Sequence, residues 1–149
     1  MRAFLVFLLF IILSGCLGNS GDAGDEQAVE IQDVETRMEE VTSEIPTTIA
    51  QIGNPVPPSN ESIEAGADTY RKFCSFCHGE GGTGEPVFKQ EGKGAFQPAD
   101  LRKWQDLSDG ELFHLITNGV NETEMLPLAG MLTERERWDM INFIRTFEE

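Results

Sequence analysis

Cys74-Ser75-Phe76-Cys77-His78 is the stretch that decides how this chain folds. Its pattern, Cys-x-x-Cys-His, sets two thiols one helical turn apart and puts an imidazole directly after the second. That spacing lets both thiols add to the vinyl groups of one haem while a histidine nitrogen lies under the iron. Gly79 follows, so no Cβ crowds the haem edge where the chain leaves it. Two other chemistries use paired cysteines. A thioredoxin-like dithiol sits beside a βαβ pattern, and no stretch of this sequence alternates like a strand. A zinc site takes about four Cys or His ligands. With Cys16 set aside as a lipid-anchor site, only His114 remains beside Cys74, Cys77 and His78 for one, in a helical stretch between Phe113 and Leu115. The five residues therefore predict one covalent haem c, attached at Cys74 and Cys77, with His78 on the iron.

Working outward, the flanking sequence reads as helices joined by long loops. A first helix is expected from about Ser62 to Phe73, carrying Ile63, Ala67, Tyr70 and Phe73. Ser108-Asp109-Gly110-Glu111 is a capping box that opens a helix with Leu112, Phe113, Leu115 and Ile116. Asn118-Gly119 is a helix stop. Thr133-Glu134-Arg135-Glu136 is a second capping box, ahead of a stripe of Trp138, Ile141, Ile144 and Phe147. The glycine-rich segment between Gly79 and Pro98 reads as a loop. The expected fold is all-α, three or more helices around one haem, and the haem adds apolar bulk that a small domain otherwise lacks.

A second axial ligand is sought among five methionines and His114. Met1 belongs to the leader, Met38 lies in the N-terminal segment, and Met140 sits in the last helix beside its apolar stripe, where it packs. His114 reads as a partly buried helical histidine. Met125 is the favoured ligand, in a loop after Gly119 and before Leu126-Pro127; Met131, two residues before the last capping box, is the lesser candidate. A thioether favours ferrous iron, and a filled sixth position leaves no site for substrate. This predicts electron transfer rather than catalysis.

The N-terminus reads as an address. Arg2 precedes an unbroken apolar run from Ala3 to Leu13, too short for an ordinary membrane span but suited to a secretory signal. It ends Leu13-Ser14-Gly15-Cys16, which resembles the lipobox of prokaryotic lipoproteins; that resemblance implies cleavage before Cys16 and a diacylglycerol on its thiol. Acyl chains anchor without a span, at about 0.8 kcal/mol per buried CH₂. Residues 1–15 are thus the expected signal, 16–59 an acidic tether and 60–149 the folded domain. Within the tether, Ile31, Val34, Met38, Val41 and Ile45 form a short heptad-like stripe. It is expected to be a solvated, partly helical spacer; the alternative is a short helix docking on a partner subunit. Pro55, Pro57 and Pro58 mark the expected boundary.

The chain has 26 acidic and 11 basic residues and a formal charge of −15. Such a surface excludes nucleic acid as a partner, since phosphate binding needs basic patches. It also disfavours docking flat on anionic lipid. An electrostatically steered partner should be basic.

With these residues in place, residues 54–147 resemble the small monohaem cytochromes c with the mitochondrial type of fold. Gly66-x-x-x-Tyr70-x-x-x-Cys74 looks like the family's first helix, whose glycine and aromatic pack on an aromatic of the last helix, here Phe143. Pro98-Ala99-Asp100-Leu101 resembles a recurring element after the haem loop. The family usually has Met directly before Pro; here the order is Met125-Leu126-Pro127, although the distance from Met125 to Leu132 fits the family spacing. The resemblance implies His/Met ligation and electron exchange with membrane redox proteins on the periplasmic side. It also implies that a proline carbonyl holds the axial histidine, with Pro98 as candidate and Pro86 as alternative.

Overall fold

The structure, a computed structural model, describes residues 36–87 and 98–147. The leader, Cys16, and Ile31 and Val34 of the stripe lie outside the described residues. Every regular element described is helical: α1 over residues 36–43, α2 Thr47–Ala50, α3 Asn60–Phe73, α4 Ser75–His78, a 3₁₀ turn Leu101–Trp104, α5 Asp109–Asn118 and α6 Glu134–Ile144. Among the described residues no helix is long and apolar enough to cross a membrane.

The α3–α6 crossing is the main packing contact. It is close because Gly66 has no side chain: a Cβ there would overlap the backbone carbonyl of Asp139. Tyr70, one turn on, is fully buried, its ring 5.3 Å from that of Phe143 and 5.2 Å from that of Phe147. These tilted and edge-on pairings suit aromatic quadrupoles. The Tyr70–Phe143 pair is the one the resemblance implied.

Both capping boxes form as the sequence predicts. Ser108 accepts from the Glu111 amide while Glu111 accepts from that of Ser108, and Thr133 and Glu136 do the same for α6. Each pairing satisfies two donors that a helix start otherwise leaves unpaired. α5 then packs on α6 through a stacked pair, Phe113 and Trp138, 4.0 Å apart at 15°. Arg145, just past α6, ties the helix end to the 3₁₀–α5 connection. Its Nε donates to Asp109 Oδ1 at 3.0 Å, its Nη1 to the Gln105 carbonyl at 2.7 Å and its Nη2 to the Leu107 carbonyl.

The folded unit begins well before residue 60. Ile45 and Val56 are buried in the core, with Met38, Val41 and Ile49 packed against it. Asn54 donates to the Trp138 carbonyl at 3.0 Å and to Asn142 Oδ1 at 2.9 Å, and Asn142 donates to the Val56 carbonyl at 3.0 Å. Residues 38–58 therefore form a strap across α5 and α6, and the expectation of a tether reaching residue 59 is corrected over this span. The stripe was legible as a pattern; its described members Met38, Val41 and Ile45 face the chain's own core rather than solvent. Burying an Ile and a Val adds about 1.5–3 kcal/mol each, which a solvated spacer forgoes.

Candidate haem site

The attachment motif sits on the turn that follows α3. Cys74 caps α3 at its C-terminus, and its carbonyl accepts from the amides of Cys77, at 3.1 Å, and His78, at 2.8 Å. The two cysteines and the histidine thus occupy a single turn, as thioether attachment to one porphyrin requires. Both cysteines are free and partly exposed. Cys74 Sγ lies 3.4 Å from Met140 Sδ, so its thiol meets a soft, apolar neighbour. Burial, with a smaller push from Cys77, raises the Cys74 thiol to about 12. A reactive dithiol needs its attacking thiol shifted the other way.

His78 is oriented by the backbone. Its Nδ1 is 2.9 Å from the Ala99 carbonyl oxygen. A carbonyl can only accept, so Nδ1 carries the proton and the Nε2 lone pair is left for a metal. Burial lowers the basicity of the ring and the Ala99 contact opposes this in part, leaving a neutral imidazole, the form that ligates iron.

The acceptor implied at Pro98 is therefore corrected by one residue. The Pro98 carbonyl faces Gly84, where an added Cβ would meet it at 2.8 Å, and successive peptide units point their oxygens apart. Pro86 is not the acceptor either. Three backbone features hold the segment. Gly84 N donates to the His78 carbonyl at 2.9 Å, Leu101 N to the Gly82 carbonyl at 2.7 Å, and Asp100 caps the 3₁₀ turn through the Arg102 amide. The Tyr70 hydroxyl, which burial keeps protonated, donates to the Gly79 carbonyl at 2.8 Å. Sequence reasoning picked out Tyr70 and the Pro98–Leu101 element but not the Ala99 or Gly79 carbonyls as acceptors, because a main-chain oxygen carries no side-chain signal.

The two candidate thioethers differ in setting. Met125 is partly buried and packs against the core, whereas Met131 is 56 % exposed. His114 lies on α5 with Asn118 beside its Nδ1, away from any cluster of ligands. Among the described residues no group of three or more His, Cys, Asp or Glu gathers to hold a metal ion. The donor set fits a haem: two thiols and one oriented imidazole on one turn, with a thioether packed into the same core.

Comparison with known proteins agrees. Residues 61–144 match the family described as cytochrome c oxidase, cbb3-type, subunit III. The chain belongs to that family. Its matched segment is a cytochrome c domain, and such domains support haem-based electron transfer. Among solved structures, a chain of the Kuenenia stuttgartiensis reducing HAO-like protein complex Kustc0457/Kustc0458 is similar, with a TM-score of 0.56 and 25% identity over 64% of the present chain. The cytochrome spans about half of that chain, 47% of its length. No curated protein matches significantly.

Proposed function

We propose that this cytochrome carries single electrons through one haem c, attached at Cys74 and Cys77 and ligated by His78 and Met125, at the outer face of a prokaryotic membrane. One observation carries the reading. His78 is tied through Nδ1 to the Ala99 carbonyl, leaving Nε2 free, on the same turn as both thiols. The haem supplies the ferrous–ferric couple. The chain supplies the rest: it fixes the histidine tautomer, buries the Cys74 side of the site, and presents Met125 from a core-packed loop. Phe76 and Leu126, neighbours of the ligands in sequence, are 56 % and 68 % exposed. They leave apolar surface for brief docking amid an acidic exterior that favours a basic redox partner.

Ferric protein purified with its cofactor is expected to be low-spin, with a thioether–iron charge-transfer band, and its ferrous form is expected not to bind carbon monoxide. Stoichiometric carbon monoxide binding would mean an open sixth site, and a sensor or enzyme instead of a carrier. The anchor is tested separately: Cys16→Ser should move the protein from the membrane to the soluble fraction, and continued membrane association would refute the lipid anchor.

A second reading is favoured by one comparison. The similar solved chain is a component of a multi-subunit complex, and the present chain would then be a fixed haem subunit of a membrane oxidoreductase. Purification from native membranes under mild detergent separates the two. A subunit brings other chains in constant ratio, and a shuttle comes alone.

A further inference from the structure

The loop that carries Met125 hangs on the end of α5. The last carbonyls of a helix lack intrahelical partners. Here they accept from the loop: Leu115 from the Gly119 amide at 2.8 Å, Ile116 from Leu128 at 3.1 Å, and Thr117 from Ala129 at 3.2 Å. The loop also closes on itself. Val120 N donates to the Met125 carbonyl at 3.0 Å, and Met125 N donates to Thr123 Oγ1 at 3.1 Å. The same Thr123 hydroxyl donates to the Val120 carbonyl at 2.8 Å. Both main-chain polar groups of Met125 are thus held within six residues.

This closure requires a glycine at its root. Gly119 has φ 72° and ψ −170°, a region open essentially to glycine alone. A Cβ there would overlap the Met125 carbonyl and come within 2.9 Å of Pro127 N. Those atoms are backbone and cannot step aside as a flexible side chain would.

We infer that Gly119 and Thr123 are positioning residues for the sixth iron ligand: they fix the backbone of Met125 against the end of α5 and so set how readily its sulfur leaves the iron. The inference rests on the reading of Met125 as ligand. Opening of the loop relieves the crowding that a side chain at position 119 creates, so such a side chain shifts the population toward the state with the thioether off. An added base that binds only that state then binds with an apparent affinity proportional to its population.

The test titrates ferric holoprotein with imidazole and follows the thioether–iron band in the wild type, Gly119→Ala, Thr123→Val, Thr123→Ser and Met125→Ala. Strain of a side chain in this glycine-only region, together with its overlap with the Met125 carbonyl, predicts a weakened band and imidazole binding about 5- to 30-fold tighter in Gly119→Ala. Thr123→Val, which loses two hydrogen bonds at an exposed site, should tighten binding about 2- to 10-fold; Thr123→Ser, which keeps the hydroxyl, should restore wild-type titration. If Gly119→Ala does not fold, the valine and serine variants decide. Should Met125→Ala abolish the band while the other variants titrate like wild type, the positioning role is refuted and the ligand assignment stands. Should Met125→Ala keep the band, the ligand lies elsewhere and the inference falls with it.

Discussion

The His78 side and the Met125 side of this cytochrome are held by different means. His78 is fixed by a hydrogen bond to its own ring, on a turn braced by the buried Tyr70 and by a close helix crossing at Gly66. Met125 packs its side chain partly against the core, but its polar anchoring is through its backbone, in a loop whose residues 121–124 are exposed and which is bonded to the end of α5 and, through Asn121, to Glu44. The first arrangement belongs to the core and opens only when the core does. The second is local, and local openings need far less free energy than global unfolding. On the proposed ligation the two residues would differ in permanence, with the histidine built in and the thioether releasable.

The largest expected effect comes from removing what supports the Met125 side from behind. The strap leans on α5, with the Ile49 carbonyl against Gly110 and Glu44 Oε2 3.3 Å from Asn121 Nδ2. A chain beginning at residue 60 loses the buried Ile45 and Val56, and should be less stable by about 5 kcal/mol in denaturant unfolding. An unchanged midpoint would make the strap an accessory. On the His78 side, Tyr70→Phe removes the stronger of two donors to the Gly79 carbonyl, which keeps the Gly82 amide at 3.3 Å. It should lower stability by about 0.5–1.5 kcal/mol while leaving the thioether–iron band intact; a band lost with Tyr70 would mean the two sides are not independent.

Smaller effects sharpen the contrast between the methionines. Met131→Ala, at an exposed position, should change stability by no more than about 0.5 kcal/mol and spare the band. Loss of the band would move the ligand to Met131. The smallest effect concerns Asp100, whose carboxyl is held below its ordinary value of 3.8 by hydrogen bonds and charge from Arg102. A carboxyl depressed in the folded state stabilises above its unfolded value and loses that contribution as pH falls through the folded one. Solvent screens this pair, so Asp100→Asn should cost under about 1 kcal/mol at pH 7. The gap from wild type should close as pH drops below 3.8, and a gap that widened in acid would reverse the assignment.

What the sequence revealed follows the strength of local signals. The capping boxes at Ser108 and Thr133, the Gly119 stop and the apolar stripes of α3, α5 and α6 each bring their own chemistry, and the helices stand where that chemistry puts them. The four-residue α2 and the 3₁₀ turn are too short to show a period and were not foreseen. The strap was visible as a stripe but not as core, because spacing tells which residues share a face and not what covers it. At the site, the Cys-x-x-Cys-His turn was legible outright. The acceptor for His78 was not, since which of two adjacent carbonyls faces a ring depends on a single backbone rotation that side-chain identity leaves open.

The most direct test is intact mass spectrometry of the mature polypeptide, natively expressed with cytochrome maturation machinery and fully denatured before analysis. The account predicts one haem mass added to the chain, surviving denaturation and falling to none in Cys74→Ala/Cys77→Ala. A denatured wild-type chain with no added haem would contradict it.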